Sequence, residues 1–196
     1  METRAKSRKA CVPVRACAWI VGAACLSTGL AWAGDESPWP AEVPGFVKAV
    51  PGEHPRLLFR KADVPELKRR AQTPEGQAII KRLRFLLDGA NGDTPPKPAT
   101  AGEKTVGAFT IGHAAGYGLL YLLTDDKKYA DLGLETFERM MKGERDRDTR
   151  YSFRKPSGAL RSGPVLGWTA LGYDLCYDGW DEEFRGKVAN ELQNYS

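Results

Sequence analysis

Two kinds of hydrophobic pattern alternate along residues 107–196. Residues 107–123 and 164–177 are apolar on nearly every side and rich in small side chains, which is typical of buried helices. Each is followed by an amphipathic stretch whose apolar residues recur every three or four positions. The first of these stretches ends near Met141 and the second begins at Asp181. The pattern predicts two helical hairpins, each made of one buried and one amphipathic helix.

Two further helices are predicted ahead of the hairpins. A short helix is expected over residues 63–71, and a longer one over residues 73–87, where Thr73 provides an N-cap before a proline. Loops rich in Gly, Asn, Pro or charged residues are predicted at 88–104 and 142–158. No alternating pattern of comparable strength predicts a strand, so the expected fold class is all-α.

The two hairpins repeat at a constant offset of 56 residues. The matched positions carry residues of the same type: Gly116 with Gly172, Tyr117 with Tyr173, Leu119 with Leu175, Tyr121 with Tyr177, and Asp125 with Asp181. Asp126 likewise matches the acid Glu182, and we interpret these two pairs of acids at the helix starts as caps. This period favours an α/α toroid, a ring of helical hairpins that needs roughly 250–350 residues for five to seven hairpins. Residues 54–196 are therefore expected to be the N-terminal portion of an incomplete, truncated toroid.

The N-terminus has the pattern of a secretory signal. Residues 1–33 combine a basic start, an apolar stretch at 16–30 and an A-x-A cleavage motif at 31–33. We therefore expect a cleavable signal peptide and a periplasmic or secreted protein. Residues 34–53 contain four prolines and are predicted to be an extended leader.

Removal of this signal changes the composition. The chain of 196 residues has 29 Lys and Arg against 25 Asp and Glu, and the signal holds five of the basic residues and one acid. The remaining 163 residues would have no net charge, which disfavours nucleic acid as a partner. Of the four cysteines only Cys176 would remain, which excludes an intrachain disulfide and favours a core position for this thiol. No other apolar stretch approaches the ~20 residues that span a bilayer, so no membrane partner is expected after signal removal.

Three segments carry a family resemblance. They are residues 54–76 with the motifs HPRLLF, DVPEL and TPEG, residues 121–130 with the sequence YLLTDDKKYA, and residues 170–178 with the sequence ALGYDLCYD followed by Trp180. In this order they resemble the first part of the heparinase II/III-like and alginate-lyase-like polysaccharide lyases. The resemblance covers about residues 53–195.

The resemblance implies an enzyme that cleaves uronic-acid polysaccharides by β-elimination. In such enzymes the uronate carboxylate is neutralised, a Tyr or His removes the adjacent proton, and a Tyr protonates the leaving oxygen. In the family, an Asn-His pair and a Tyr in later toroid helices carry this chemistry, and a C-terminal β-sandwich adds a His. The present sequence has no Asn-His dipeptide, so no catalytic residue is assigned. The catalytic set is expected beyond Ser196, and this chain alone is expected to be inactive.

A basic loop is the main candidate for contact with an anionic polysaccharide substrate. Residues 142–161 hold seven Lys and Arg against three acids, a net charge of +4. Guanidinium groups bind carboxylates and sulfates through paired hydrogen bonds, and aromatic rings stack on sugars. The candidate substrate-binding residues of this loop are Arg150, Tyr151, Arg154 and Arg161. The alternative is a solvated loop in which Arg and Asp side chains pair with each other.

His113 and Tyr117 form a second candidate pair, because residues four apart lie on one face of a helix. A His–Tyr pair can transfer protons. The alternative is that both are packed side chains with satisfied hydrogen bonds. The recurrence of the Tyr spacing at Tyr173 and Tyr177, without a His, favours this packing role.

Two other functions stay open besides the lyase. A toroid glycoside hydrolase would need two carboxylates across a cleft, and Asp174 and Asp178 are the candidates. A secreted helical module could instead bind glycan without cleaving it. The sequence contains no phosphate-binding loop and no metal-ligand spacing, so neither a cofactor nor a metal is predicted, and the oligomeric state is left open.

Overall fold

Six α-helices make up most of the described part of the computed structural model, which comprises residue 45 and residues 48–100 and 105–195. The helices are α1 (Val64–Ala71), α2 (Pro74–Asp88), α3 (His113–Thr124), α4 (Lys127–Met141), α5 (Ala159–Cys176) and α6 (Glu182–Gln193). Among these residues the only β pairing is an isolated bridge between Lys97 and Ala108. The predicted all-α class is thus confirmed for the described residues.

The predicted signal peptide, residues 1–33, and most of the predicted leader, residues 34–53, lie outside the described residues. Contacts divide the chain into one unit ending at Phe46 and a second beginning at Val47, and all six helices belong to the second unit. Across the described ranges, none of the helices combines the length and the apolar character needed to cross a bilayer.

Side-chain caps define three of the helix starts. The hydroxyl of Thr73 accepts a hydrogen bond from the Gly76 amide at the start of α2, and the Asp181 carboxylate accepts one from the Phe184 amide at the start of α6, as the sequence predicts. Between α3 and α4 the cap is Asp126, not Asp125. Asp125 has a left-handed backbone, with φ at 57°, and ends α3 instead.

The first hairpin helix begins later than predicted, because residues 107–112 are not helical. Gly107 has φ at +81°, and a Cβ at this position would lie 2.4 Å from the Asp88 carbonyl carbon, so only glycine fits here. Lys97 exchanges backbone hydrogen bonds with this segment, accepting from Phe109 and donating to Gly107 at 2.8 Å each. Backbone groups that a helix would have used are therefore bonded to a residue distant in sequence.

The second hairpin helix begins earlier than predicted, at Ala159, and holds Pro164 within it. Gly158, with φ at +75°, turns the chain immediately before the helix. The prediction that residues 164–177 are buried on nearly every side is wrong at Trp168, which is 48% exposed.

The core lies where α3, α4 and α5 meet, and α3 packs most closely on α5. Cys176 is completely buried at this junction, as predicted, and its thiol lies 3.7 Å from the Ala114 carbonyl oxygen. Two glycines make room for the sulfur: a Cβ at Gly118 would lie 2.9 Å from it and a Cβ at Gly133 would lie 2.8 Å from it. Burial raises the pKa of the Cys176 thiol, so the group stays neutral.

We expect Gly133→Ala to lower the free energy of unfolding by about 1–2 kcal/mol, because overpacking against the Cys176 sulfur outweighs the better helix propensity of alanine. In a Cys176→Ala background the same change should become neutral or stabilising, since the sulfur is the only close obstacle. Gly186→Ala is the matched control. Nothing lies within 4 Å of its Cβ, and it should add about 0.5–1 kcal/mol. Urea denaturation measures all four variants, and equal effects at the two glycines would contradict the packing argument.

Candidate functional site

A groove of about 1380 Å³ lies on the described part of the chain. Its lining includes Gly112, at the N-cap of α3, and Leu171 of α5. Leu58 and Leu86 add further apolar residues, and residues 146–151 of the basic loop add charged ones, which we call the polar rim. The groove therefore combines apolar and charged residues in one lining.

The polar rim is attached to the segment before α3 through Asp146, which is 4% exposed. Its carboxylate accepts hydrogen bonds from the Ile111 amide at 2.7 Å and from the Asp148 amide at 2.8 Å. Burial raises the pKa of this carboxyl, while the two amide donors oppose that effect. The Arg147 amide donates to the Phe109 carbonyl at 2.9 Å, which gives the loop a second attachment to the segment before α3.

Two arginines of the rim differ in their partners. Arg150 binds Asp148 through two hydrogen bonds of 2.8 and 2.6 Å, and this contact lowers the pKa of the Asp148 carboxyl to about 2. Arg147 is exposed, and its guanidinium forms no hydrogen bond or ion pair with any residue that the structure describes. The predicted internal Arg–Asp pairing therefore holds for Arg150 and not for Arg147.

His113 lines the groove and is 5% exposed, and both of its ring nitrogens are engaged. Nε2 lies 2.9 Å from the Leu87 carbonyl oxygen and therefore carries the proton, while Nδ1 accepts from the Thr110 amide at 2.9 Å. Burial lowers the pKa of His113 to about 4, so the ring is neutral at physiological pH. With neither nitrogen free, His113 is in no position to remove a substrate proton.

Tyr117 does not line the groove. It is fully buried, its hydroxyl donates a hydrogen bond of 2.7 Å to the Thr94 carbonyl, and its ring centroid lies 6.3 Å from that of His113. Burial also raises the pKa of the hydroxyl. The geometry corresponds to the packed alternative, in which each side chain is bonded to a backbone carbonyl and no proton path joins the two.

The other arginines of the predicted set point elsewhere. Arg154 donates from Nε to the Met141 carbonyl at 2.9 Å and forms a 2.7 Å ion pair with Glu191, so it ties the basic loop to α6. Arg161 lies in the first turn of α5 with a buried Nε that has no partner among the described residues. Neither residue lines the groove, whereas Arg150 and Tyr151 do.

Trp168 is a groove residue that sequence reasoning missed, because the apolar pattern of α5 predicted burial on every side. The indole lines the groove, is 48% exposed and lies beside Gly112, where an added Cβ would be 3.8 Å from the ring. The 56-residue repeat could have distinguished Trp168 from the packing residues of the hairpins. At the offset of 56 residues Trp168 corresponds to Gly112, so the indole is not a packing residue shared by both hairpins.

The carboxylates proposed for a glycoside hydrolase are both engaged outside the groove. Asp174 is 2% exposed, lies 2.6 Å from Nδ1 of His54 and accepts amide hydrogen bonds from Arg56 and Leu57. Asp178 forms a 2.7 Å ion pair with Lys61. Both carboxylates thus hold the HPRLLF segment and the turn after it against the end of α5.

We call the contacts of His54, Arg56 and Leu57 with Asp174 the N-terminal clasp. A contact between two aromatic rings adds to it. The His54 ring stacks on Tyr177, with centroids 3.8 Å apart and planes 17° from parallel. The clasp gives the first motif of the family resemblance a structural role, since it joins that motif to the third.

No protein-family model matches the chain, and a search of curated proteins finds no significant match. Within the described residues no cluster of three or more His, Cys, Asp or Glu side chains is arranged to hold a metal ion.

Proposed function

We propose that residues 54–196 are the N-terminal toroid portion of an exported polysaccharide lyase that acts on uronic-acid polymers, and that the groove holds part of the polymer. The observation that carries this proposal is the pairing of an exposed indole with exposed guanidinium groups around one apolar groove. Sugar rings offer apolar faces to aromatic side chains, and uronates offer carboxylates to arginine. Export to the periplasm or outside the cell rests on the signal pattern of residues 1–33.

In this proposal the described part of the chain binds substrate rather than cleaving it. Beta-elimination needs a base close to the proton beside the uronate carboxylate. His113 is the only histidine that lines the groove, and its two nitrogens are bonded to Leu87 and Thr110. The groove residues would therefore position the polymer and compensate its negative charge.

The hydrolase alternative lacks a free pair of carboxylates in this groove. Asp174 and Asp178 serve the attachment of the N-terminal segment. The groove acids Asp146 and Asp148 accept backbone amides, and Asp148 is also bonded to Arg150. A general acid and a general base need carboxyl groups that can reach the glycosidic oxygen and a water molecule, so this groove supplies no such pair, just as it supplies no base for β-elimination. The lyase is preferred because residues 54–76, 121–130 and 170–178 resemble the lyase family.

Binding to alginate tests the proposal. The purified chain should be retained on immobilised alginate and not on dextran, a neutral polymer, and the difference in affinity should be about tenfold or more at low salt. Retention should fall as salt is raised, because the attraction is partly electrostatic. Equal retention on both polymers, or none on alginate, would refute an anionic-glycan function. An assay for unsaturated uronide absorbance accompanies the binding test, and we expect no turnover by this chain alone.

A further inference from the structure

Trp168 and Arg147 approach the groove from different elements and are fixed against the same short segment. Trp168 belongs to α5 and its indole lies against Gly112, whose Cβ position is 3.8 Å from two ring atoms. Arg147 belongs to the basic loop, and its amide is bonded to the Phe109 carbonyl. Residues 109–112 thus contact the indole of Trp168 and bond to the backbone of Arg147, and both residues line the groove.

Each of the two side chains is available to a ligand. Nearly half of the Trp168 surface is exposed, although tryptophan is usually well buried. Arg147 is exposed and forms no ion pair with the described residues, whereas Arg150 is bonded to Asp148 and Arg154 to Glu191. A carboxylate ligand would therefore break no hydrogen bond or ion pair at Arg147, and it would have to compete with an aspartate at Arg150.

Hydrogen bonds hold the backbone at Arg147 and on both sides of it, which favours a defined subsite. Asp146, the residue before Arg147, is bonded through its buried carboxylate to the Ile111 amide. The amide of Asp148, the residue after Arg147, is bonded to the same carboxylate. Because hydrogen bonds already order the backbone on both sides of Arg147, ligand binding costs little further backbone entropy there.

We propose that Trp168 and Arg147 form one uronate subsite, in which the indole stacks on a pyranose ring and the guanidinium pairs with a carboxylate of the same sugar or its neighbour. This inference rests on the proposed function and adds the residues that select acidic over neutral sugars. Trp168 supplies affinity for any pyranose, and Arg147 supplies the preference for a charged one. Arg154 and Arg161, which lie off the groove, have no part in the subsite.

Calorimetric titration with alginate oligosaccharides tests the subsite. Arg147→Gln should weaken alginate binding roughly tenfold and reduce its salt dependence, because a charge-assisted contact is lost. Trp168→Ala should weaken binding by a similar factor without changing the salt dependence, and Trp168→Phe should restore part of it. Arg145→Gln is the matched control, since Arg145 is an exposed arginine of the same loop that does not line the groove.

The outcomes separate the subsite from the proposed function. If the wild-type chain binds alginate and both groove variants bind equally well, the subsite is wrong and the proposed function stands. If the wild type does not bind alginate, the proposed function fails and the subsite fails with it. A concentration-dependent dimer that Trp168→Ala dissociates, without any effect on alginate binding, would identify the groove as a contact between two copies and would also overturn the subsite. Both side chains are exposed, and circular dichroism should confirm that the variants fold.

Discussion

Replacement of Asp174 by alanine should lower the free energy of unfolding by about 4 kcal/mol, because it breaks a buried, multiply bonded carboxylate site. The change leaves the His54 ring and the amides of Arg56 and Leu57 without their common acceptor. Buried donors without a partner cost free energy in addition to the bonds themselves. The N-terminal clasp would then no longer hold the HPRLLF segment against α5.

The control for this prediction is Asp178→Ala. Asp178 lies four residues further on, and its ion pair with Lys61 is largely exposed, with 41% of the Asp and 59% of the Lys side chain accessible. Exposed pairs contribute about 1 kcal/mol or less. Urea denaturation of the two variants measures the contrast, and Asp174→Asn should fall between them because the amide oxygen replaces one acceptor. Similar losses for both alanine variants would mean that the clasp does not stabilise the fold.

Acidification should destabilise the protein through His113. The pKa of this residue is about 4 in the folded chain, below the 6.5 of an ordinary histidine, because the ring is buried. Above pH 6.5 the ring is neutral in both states and the fold is not affected. Between pH 6.5 and 4 the unfolded chain binds a proton that the folded chain excludes, so stability is lost as the pH falls, by about 3 kcal/mol in total at 1.36 kcal/mol per pKa unit.

The difference between wild type and His113→Gln isolates this contribution from other titrating groups. Glutamine is neutral throughout, so the variant should be less stable at pH 7.5 but should lose less stability than the wild type on going to pH 4.5. The raised pKa of Asp146 acts in the opposite sense in both proteins and cancels in the comparison. Parallel pH profiles for the two proteins would show that His113 is protonated in the fold as readily as in the unfolded chain.

Local patterns in the sequence predict the helices well, but they do not predict contacts between segments that are distant in sequence. The N-caps Thr73 and Asp181 were recognisable because capping depends on residues only two or three positions apart. The non-helical conformation of Gly107 was not recognisable from local sequence, because the backbone of this segment is hydrogen-bonded to Lys97, ten residues earlier. Hydrophobic periodicity records which residues are apolar, but not which of them a neighbouring element covers, and so Trp168 was assigned to the core.

The same contrast between local pattern and long-range contact applies to the predicted site. The sequence singled out the basic loop, and the groove does include Arg150 and Tyr151 from it. It offered no means of ranking the arginines, because their availability depends on acids elsewhere, such as Glu191 for Arg154. His113 and Tyr117 were a plausible pair by spacing alone. Their hydrogen bonds to the Leu87 and Thr94 carbonyls, both from other segments, remove them from proton transfer.

The N-terminal clasp also bears on the order in which the chain folds. His54 and Asp174 are 120 residues apart, and no nearer carboxylate bonds to the His54 ring among the described residues. Closing so long a loop is a slow step compared with helix formation. We therefore expect the HPRLLF segment to be one of the last parts of the described chain to reach its native position.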